Sequence, residues 1–117
     1  MIKEKNKRII KFRAWDAEMK IMSHDIQNNL GFYLGHNYTI MQYTGMKDKN
    51  RKEIYEGDIV EYKGREGIKS YIVKYEYCGF SFVEVGHENC SAAFPTDKSK
   101  IVGNIYENPE LIKKMRP

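Results

Sequence analysis

The 117-residue chain is 41% hydrophobic and 13% aromatic, enough for one compact core and one domain over 1–117. Its net charge of +4 comes from the ends: residues 1–13 carry six basic side chains and one acid, whereas 14–97 hold nine basic and thirteen acidic ones, which argues against one large continuous nucleic-acid surface. No apolar run reaches the roughly 20 residues of a membrane span, and no apolar signal segment follows the basic start, so a cytoplasmic location is expected.

KRIIKFRAW at 7–15 alternates as a strand, with Ile10, Phe12 and Ala14 on one face and Lys11, Arg13 and Trp15 on the other. Asp16-Ala17-Glu18 turns the chain, and Lys20–Ile26 returns as the second strand of an N-terminal hairpin. Gln27–Asn37, with three Asn and two Gly, reads as a loop or a short helix ended by Gly35. Tyr38–Tyr43 is a β-rich strand, closed by Thr44-Gly45.

Asp48–Asn50 is a turn, because Asp and Asn fold back onto nearby amides. Ile54-Tyr55 resumes extended structure. Glu56-Gly57-Asp58 is a second turn in which Gly57 supplies a conformation that other residues resist, and Ile59–Tyr62 leaves it as a strand. Gly64–Gly67 is a hairpin connection. Ser70–Tyr77 alternates most clearly, with Tyr71, Val73, Tyr75 and Tyr77 on one face. Cys78-Gly79 turns into Phe80–Val85, apolar on both faces and so expected to be central. A loop over Gly86–Thr96 precedes the last strand, Lys100–Tyr106. Asn108 is placed to cap a short helix, with Pro109 at its first position and Glu110 complementing its dipole. The fold expected is mainly β: a small bent barrel with a short C-terminal helix over 44–117, and an N-terminal hairpin region over 1–43.

Tests for site chemistry are mostly negative. A calcium loop starting at Asp48 would need an oxygen ligand, Gly and Glu where Lys52, Glu53 and Ile59 stand. The phosphate-loop pattern GxxxxGK[ST] is absent, and Asp58 after Gly57 would repel phosphate. Glu53, Glu56, Asp58 and Glu61 cluster in sequence, with nothing in the sequence to make them converge on a pocket. Cys78, His87 and Cys90, with His24 and His36 elsewhere, form no zinc frame, because no CxxC pair occurs; two ordinary thiols are the preferred reading. Neither cysteine lies at a predicted helix N-terminus, where a thiolate nucleophile is favoured. No enzyme activity, metal or cofactor is expected. Lys5, Lys7, Arg8, Lys11 and Arg13 are the nucleic-acid candidates, Arg13 beside Trp15 being able to stack a base or hold a phosphate. Strand periodicity favours Phe12 and Trp15 as core and Arg13 as an edge-strand charge.

Three segments in order, KFRAWD (11–16), MQYTGMKDKNRKEIYEGDIV (41–60) and VGNIYENPEL (102–111), resemble the YopX-like family of phage and prophage proteins. The resemblance implies a mainly β protein whose C-terminal part is an SH3-type barrel, a viral or prophage origin, and the cytoplasm of a bacterial host. It implies no reaction. Trp15, Gly45, Gly57, Asp58, Asn108 and Pro109 belong to its structural motifs. The chain departs from the family pattern at Arg51, where Gly usually follows Asn50, so a tight Asn-Gly turn gives way to a wider loop. Lys47, Lys49, Arg51 and Lys52 on that loop are the candidates for partner contact. The expected function is a small non-enzymatic module binding a host or phage protein, one form of which is an inhibitor of a host defence protein. The alternative is a nucleic-acid-binding accessory protein using its basic termini. An exposed edge strand would also permit self-association.

Overall fold

The computed structural model describes residues 9–76, 78–87 and 91–115. Lys5, Lys7 and Arg8 among the nucleic-acid candidates, together with Tyr77 and Cys90, lie outside the described residues.

β1 (Phe12–Asp16) and β2 (Ile21–Ser23) form the expected hairpin, Trp15 facing Met22. The second strand is shorter than its sequence pattern, because Asp25 takes a φ of 55° and Ile26 leaves the ladder to be buried. A 3-10 turn at Gln27–Asn29 leads into α1 (Leu30–Leu34), ended at Gly35. β3 (Tyr38–Lys47) pairs with β1 and does not stop at Thr44. Instead Gly45, at φ 88°, sits within an irregularity between Tyr43 and Lys47, and the strand resumes to pair with β4 (Glu53–Tyr55). Thr44 holds this distortion: its hydroxyl donates to the Ile54 carbonyl at 2.7 Å and accepts the Met46 amide at 3.1 Å. The first sheet has the order β2-β1-β3-β4.

The second sheet has the order β8-β7-β6-β5-β9. β5 (Asp58–Gly64), β6 (Gly67–Glu76) and β7 (Gly79–Glu84) form a meander, and β8 (Ser91–Ala92) adds a short edge in what the sequence presents as loop. β9 (Lys100–Asn104) returns beside β5 after a 3-10 turn at Thr96–Lys98. α2 (Pro109–Met115) closes the described chain, starting at Pro109 as expected. The sheets change over at Glu56-Gly57, while Tyr43 lies mid-strand in β3.

Ile54 of β4 packs with Val60, Tyr71, Val73 and Phe82 of the second sheet to form the main buried cluster. Tyr71 and Val73 are buried as their alternation requires, but Tyr75 on the same face is 54% exposed beyond the covered part of β6. Phe94, outside any strand, lies within 5 Å of three rings, with centroids 4.8 Å from Tyr62, 4.9 Å from Tyr71 and 4.8 Å from Phe82.

The loop that carries Arg51 is a tight one. The Arg51 amide donates to the Asp48 carbonyl and the Asp48 amide to the Lys52 carbonyl, both at 2.9 Å. Arg51 takes the left-handed conformation, φ 63°, that glycine adopts without strain. Arg51→Gly is therefore expected to stabilise the protein by about 1 kcal/mol, the cost of that conformation in a residue with a Cβ. A rise of a few degrees in the thermal midpoint checks it; a lower midpoint shows that the Arg51 side chain contributes more than its backbone costs.

Candidate functional site

β1 is flanked by β2 and β3, and Arg13, Ala14 and Trp15, which alternate between its two faces, are all buried. Its Arg13–Trp15 face looks towards the turn between the sheets: Trp15 lies 6.3 Å from Tyr106, ring to ring, and Arg13 reaches Asp58 at the start of β5. Arg13 is thus neither the edge-strand charge nor the exposed phosphate contact that the sequence allows. Its Nη2 donates to Asp58 Oδ1 at 2.8 Å and to the Glu56 carbonyl at 3.1 Å, with side-chain exposures of 6% and 2% for the pair. The guanidinium lies 4.8 Å from the centre of the Tyr55 ring, and its Nε is buried without a partner. Asp58 Oδ2 accepts the Tyr55 amide at 2.8 Å. Burial raises the Asp58 carboxyl above its ordinary range, although the Arg13 charge and the Tyr55 amide pull the other way. Burial also pushes the Tyr55 hydroxyl up to about 12, so Tyr55 stays neutral at physiological pH.

This pair forms part of the lining of a cleft of about 370 Å³ at the junction of the two sheets. His24 and Lys52 join it from the first sheet's side, Asn104 from the end of β9, and Glu107 and Asn108 from the chain that follows. His24 stands edge-on to Tyr55 at 6.2 Å. Lys11 pairs with Glu53 at 2.7 Å, and that hydrogen bond raises the Lys11 ammonium above its usual value. Lys11 and Arg13, two of the nucleic-acid candidates, are therefore each engaged with a carboxylate.

The other candidate group is well placed for contact. Lys47, Lys49, Arg51 and Lys52 are all exposed, on a turn whose backbone is held from beneath. Asp48 is 2% exposed; its Oδ1 accepts the amides of Asn50 (2.8 Å) and Lys52 (2.9 Å), and its Oδ2 accepts Ile101 of β9 at 3.0 Å. The Lys49 amide adds a bond to the Ser99 carbonyl at 2.8 Å. Burial pushes the Asp48 carboxyl up, but the amides of Ile101, Lys52 and Asn50 outweigh it and hold the group below its ordinary value. A lowered carboxylate stabilises the fold above its unfolded pKa, near 4, and loses that contribution as pH falls through its folded value. Asp58, being raised, has the opposite slope. Asp48→Asn is expected to cost about 1–3 kcal/mol at neutral pH, because one amide of three loses its acceptor. The gap from the native protein should shrink below about pH 4 in urea titrations, where Asp48 is protonated in the unfolded chain; an equal gap at pH 7 and pH 3 would remove the charge from the explanation.

Asn108 stands directly before α2, and its carbonyl accepts the Leu111 amide at 3.1 Å. Its Oδ1 instead accepts the Asn104 amide at 3.1 Å, while Asn104 Oδ1 accepts the amides of Tyr106 and Glu107. Gly103 makes room for this, since a Cβ there would stand 2.6 Å from Asn108 Oδ1. Among the described residues no three His, Cys, Asp or Glu side chains could hold a metal ion, and Cys78 is exposed at a turn. No described helix is long and apolar enough to cross a membrane.

A family model described as "YopX protein" matches residues 20–113. The chain belongs to the YopX family. The solved structure of protein EF1440 from Enterococcus faecalis resembles this YopX-family chain with a TM-score of 0.67 at 28% identity, covering 91% of this chain and 99% of that one. Protein yopX from Bacillus subtilis shares the fold, with a TM-score of 0.55 at 18% identity over 87% of this chain and 95% of its own. No curated protein matches. None of these comparisons carries an indication of enzyme activity.

Sequence reasoning missed the Arg13–Asp58 pair, and with it the cleft. One signal was available. Arg13 and Asp58 stand in two of the three YopX motifs, one between the apolar residues of FRAW and the other directly before Ile59 and Val60, and charges of opposite sign so placed are best buried as a pair. His24, Tyr55 and Asn104 carry no comparable mark, because nothing local in the sequence brings them together.

Proposed function

We propose that this protein is a small non-enzymatic interaction module of phage or prophage origin, acting in the cytoplasm of a bacterial host by binding a host or phage protein. The observation that carries the reading is that the exposed basic turn and the cleft are continuous. Lys52 belongs to both, and Asp48 fixes the turn to β9. A pre-formed basic projection beside a polar cleft costs little ordering on binding, which favours recognition of a folded or peptide partner. We read the β5–β9 sheet as an SH3-type barrel: a meander of four strands with the fifth returning beside the first supports it. A host defence protein is one such partner class. Capture from infected host cells tests the reading. The native protein should retain a specific partner that is lost when Lys47, Lys49, Arg51 and Lys52 are changed together to Glu. Recovery of the same proteins by both forms counts against it.

The second reading is nucleic-acid binding through the basic termini, of which Lys11 and Arg13 are already paired with carboxylates. It requires a mobility shift with DNA or RNA at low salt that weakens steeply as salt is added. No shift at low salt ends it.

A further inference from the structure

We infer that the cleft between the sheets receives a single carboxylate, supplied by an acidic segment of the protein partner proposed above and therefore resting on that reading. The acceptors and donors lining the cleft are unevenly used. Both Asp58 oxygens are engaged, by Arg13 and by the Tyr55 amide. Glu53 Oε2 takes Lys11 and Glu107 Oε1 takes the Asn104 carboxamide, while the second oxygen of each makes no hydrogen bond among the described residues. On the donor side Arg13 Nε is buried with no partner. Among the described residues, neither the Lys52 ammonium nor the His24 ring makes a hydrogen bond or ion pair, although both line the same space. A ligand that satisfies these unused donors must bring acceptors.

Charge selects among acceptor groups. Asp58 already offsets much of Arg13, and Glu53 and Glu107 also line the cleft. A doubly charged phosphate would meet three carboxylates at short range in a partly desolvated site, where repulsion is poorly screened. A carboxylate brings one charge and two coplanar oxygens, the shape that a guanidinium edge and a nearby ammonium accept best. The volume, about 370 Å³, lies at the small end for ligand clefts and suits one inserted side chain. The exposed cations of Lys47, Lys49 and Arg51 outside the cleft would then meet further acidic residues flanking the inserted one.

The native protein, labelled with nitrogen-15, tests this directly through the Arg13 Nε–H resonance and the Gly103 and Asn104 amides. N-acetylglutamate blocked at its α-carboxyl as the methylamide, so that the side-chain carboxylate is its one charge, is expected to shift all three saturably in the millimolar range. N-acetylglutamine blocked in the same way, the same size without the charge, should leave Arg13 unmoved, and inorganic phosphate should bind about tenfold more weakly, as expected for a repelled second charge. Lys52→Ala, an exposed change that leaves the Arg13–Asp58 pair intact, should weaken N-acetylglutamate by about threefold or more, the scale of a partly screened ion pair. Absence of a saturable Arg13 shift, an equal response to N-acetylglutamine, or tighter binding of phosphate each overturns the inference. None of those results touches partner capture, so this inference can fail while the protein-binding reading stands; loss of partner capture with intact N-acetylglutamate binding would do the reverse.

Discussion

Asp58→Ala is expected to destabilise the protein by about 3–5 kcal/mol, the range for removing one partner of a buried ion pair. The side chain is 2% exposed, and its loss strands an Arg13 guanidinium that already has an unpartnered Nε. It also frees the Tyr55 amide, which has Asp58 Oδ2 as its acceptor. Against a total stability of roughly 5–15 kcal/mol for a domain, that loss is a large fraction. Urea denaturation followed by circular dichroism reads it. The double replacement Arg13→Met with Asp58→Leu separates charge from space: it should recover most of the loss, because replacing a buried pair by apolar groups is often neutral. A single Asp58→Ala variant within 1 kcal/mol of the native protein would show that Arg13 escapes to water when its partner goes.

Gly57→Val is expected to destabilise the protein by about 2–5 kcal/mol, enough to leave little folded protein if total stability is at the low end for a domain. Gly57 has φ 87°, and a Cβ there would lie 3.0 Å from Tyr106 Cε2 and 3.3 Å from Met41 Sδ. A left-handed residue with a Cβ costs about 1–2 kcal/mol, and crowding of a packed site adds about 1–3 more. The backbone cannot move aside easily, because the Gly57 amide donates to the Val73 carbonyl at 2.8 Å and its carbonyl accepts Ile105 at 2.9 Å. Gly45→Ala provides the comparison. Gly45 has nearly the same φ, 88°, but open space around its Cβ position, so it should lose only about 1 kcal/mol. Yield of folded protein and thermal midpoints check both. A well-folded Gly57→Val variant would mean that the changeover between the sheets is a pliant connection.

The legibility of this chain followed the range of its interactions. Alternation in Ser70–Tyr77 placed Tyr71 and Val73 inside, because period two is a local property of a strand. The turn at Glu56–Asp58 was legible for the same reason. Arg13 was misplaced because its environment is set by Asp58, 45 residues away. Phe94 looked like loop, and its partial burial follows from the rings of three strands that converge on it. Asn108 had the spacing of a helix cap, but its side chain turned back to Asn104, since Gly103 leaves it the room. The exposed basic turn was readable as a cluster. That it adjoins a cleft was not, because the cleft needs both sheets.

The Asp48 and Asn108 side chains have a bearing on how copies of this protein behave in concentrated solution. β9 is an outer strand of its sheet, with a neighbour on one side. The Ile101 amide is taken by Asp48 Oδ2 and the Asn104 amide by Asn108 Oδ1. Two side chains thus occupy backbone donors that a strand from another molecule would need for edge-to-edge sheet extension. Fibrillation by that route is obstructed from within the molecule, and Asp48 guards the border while it fastens the basic turn.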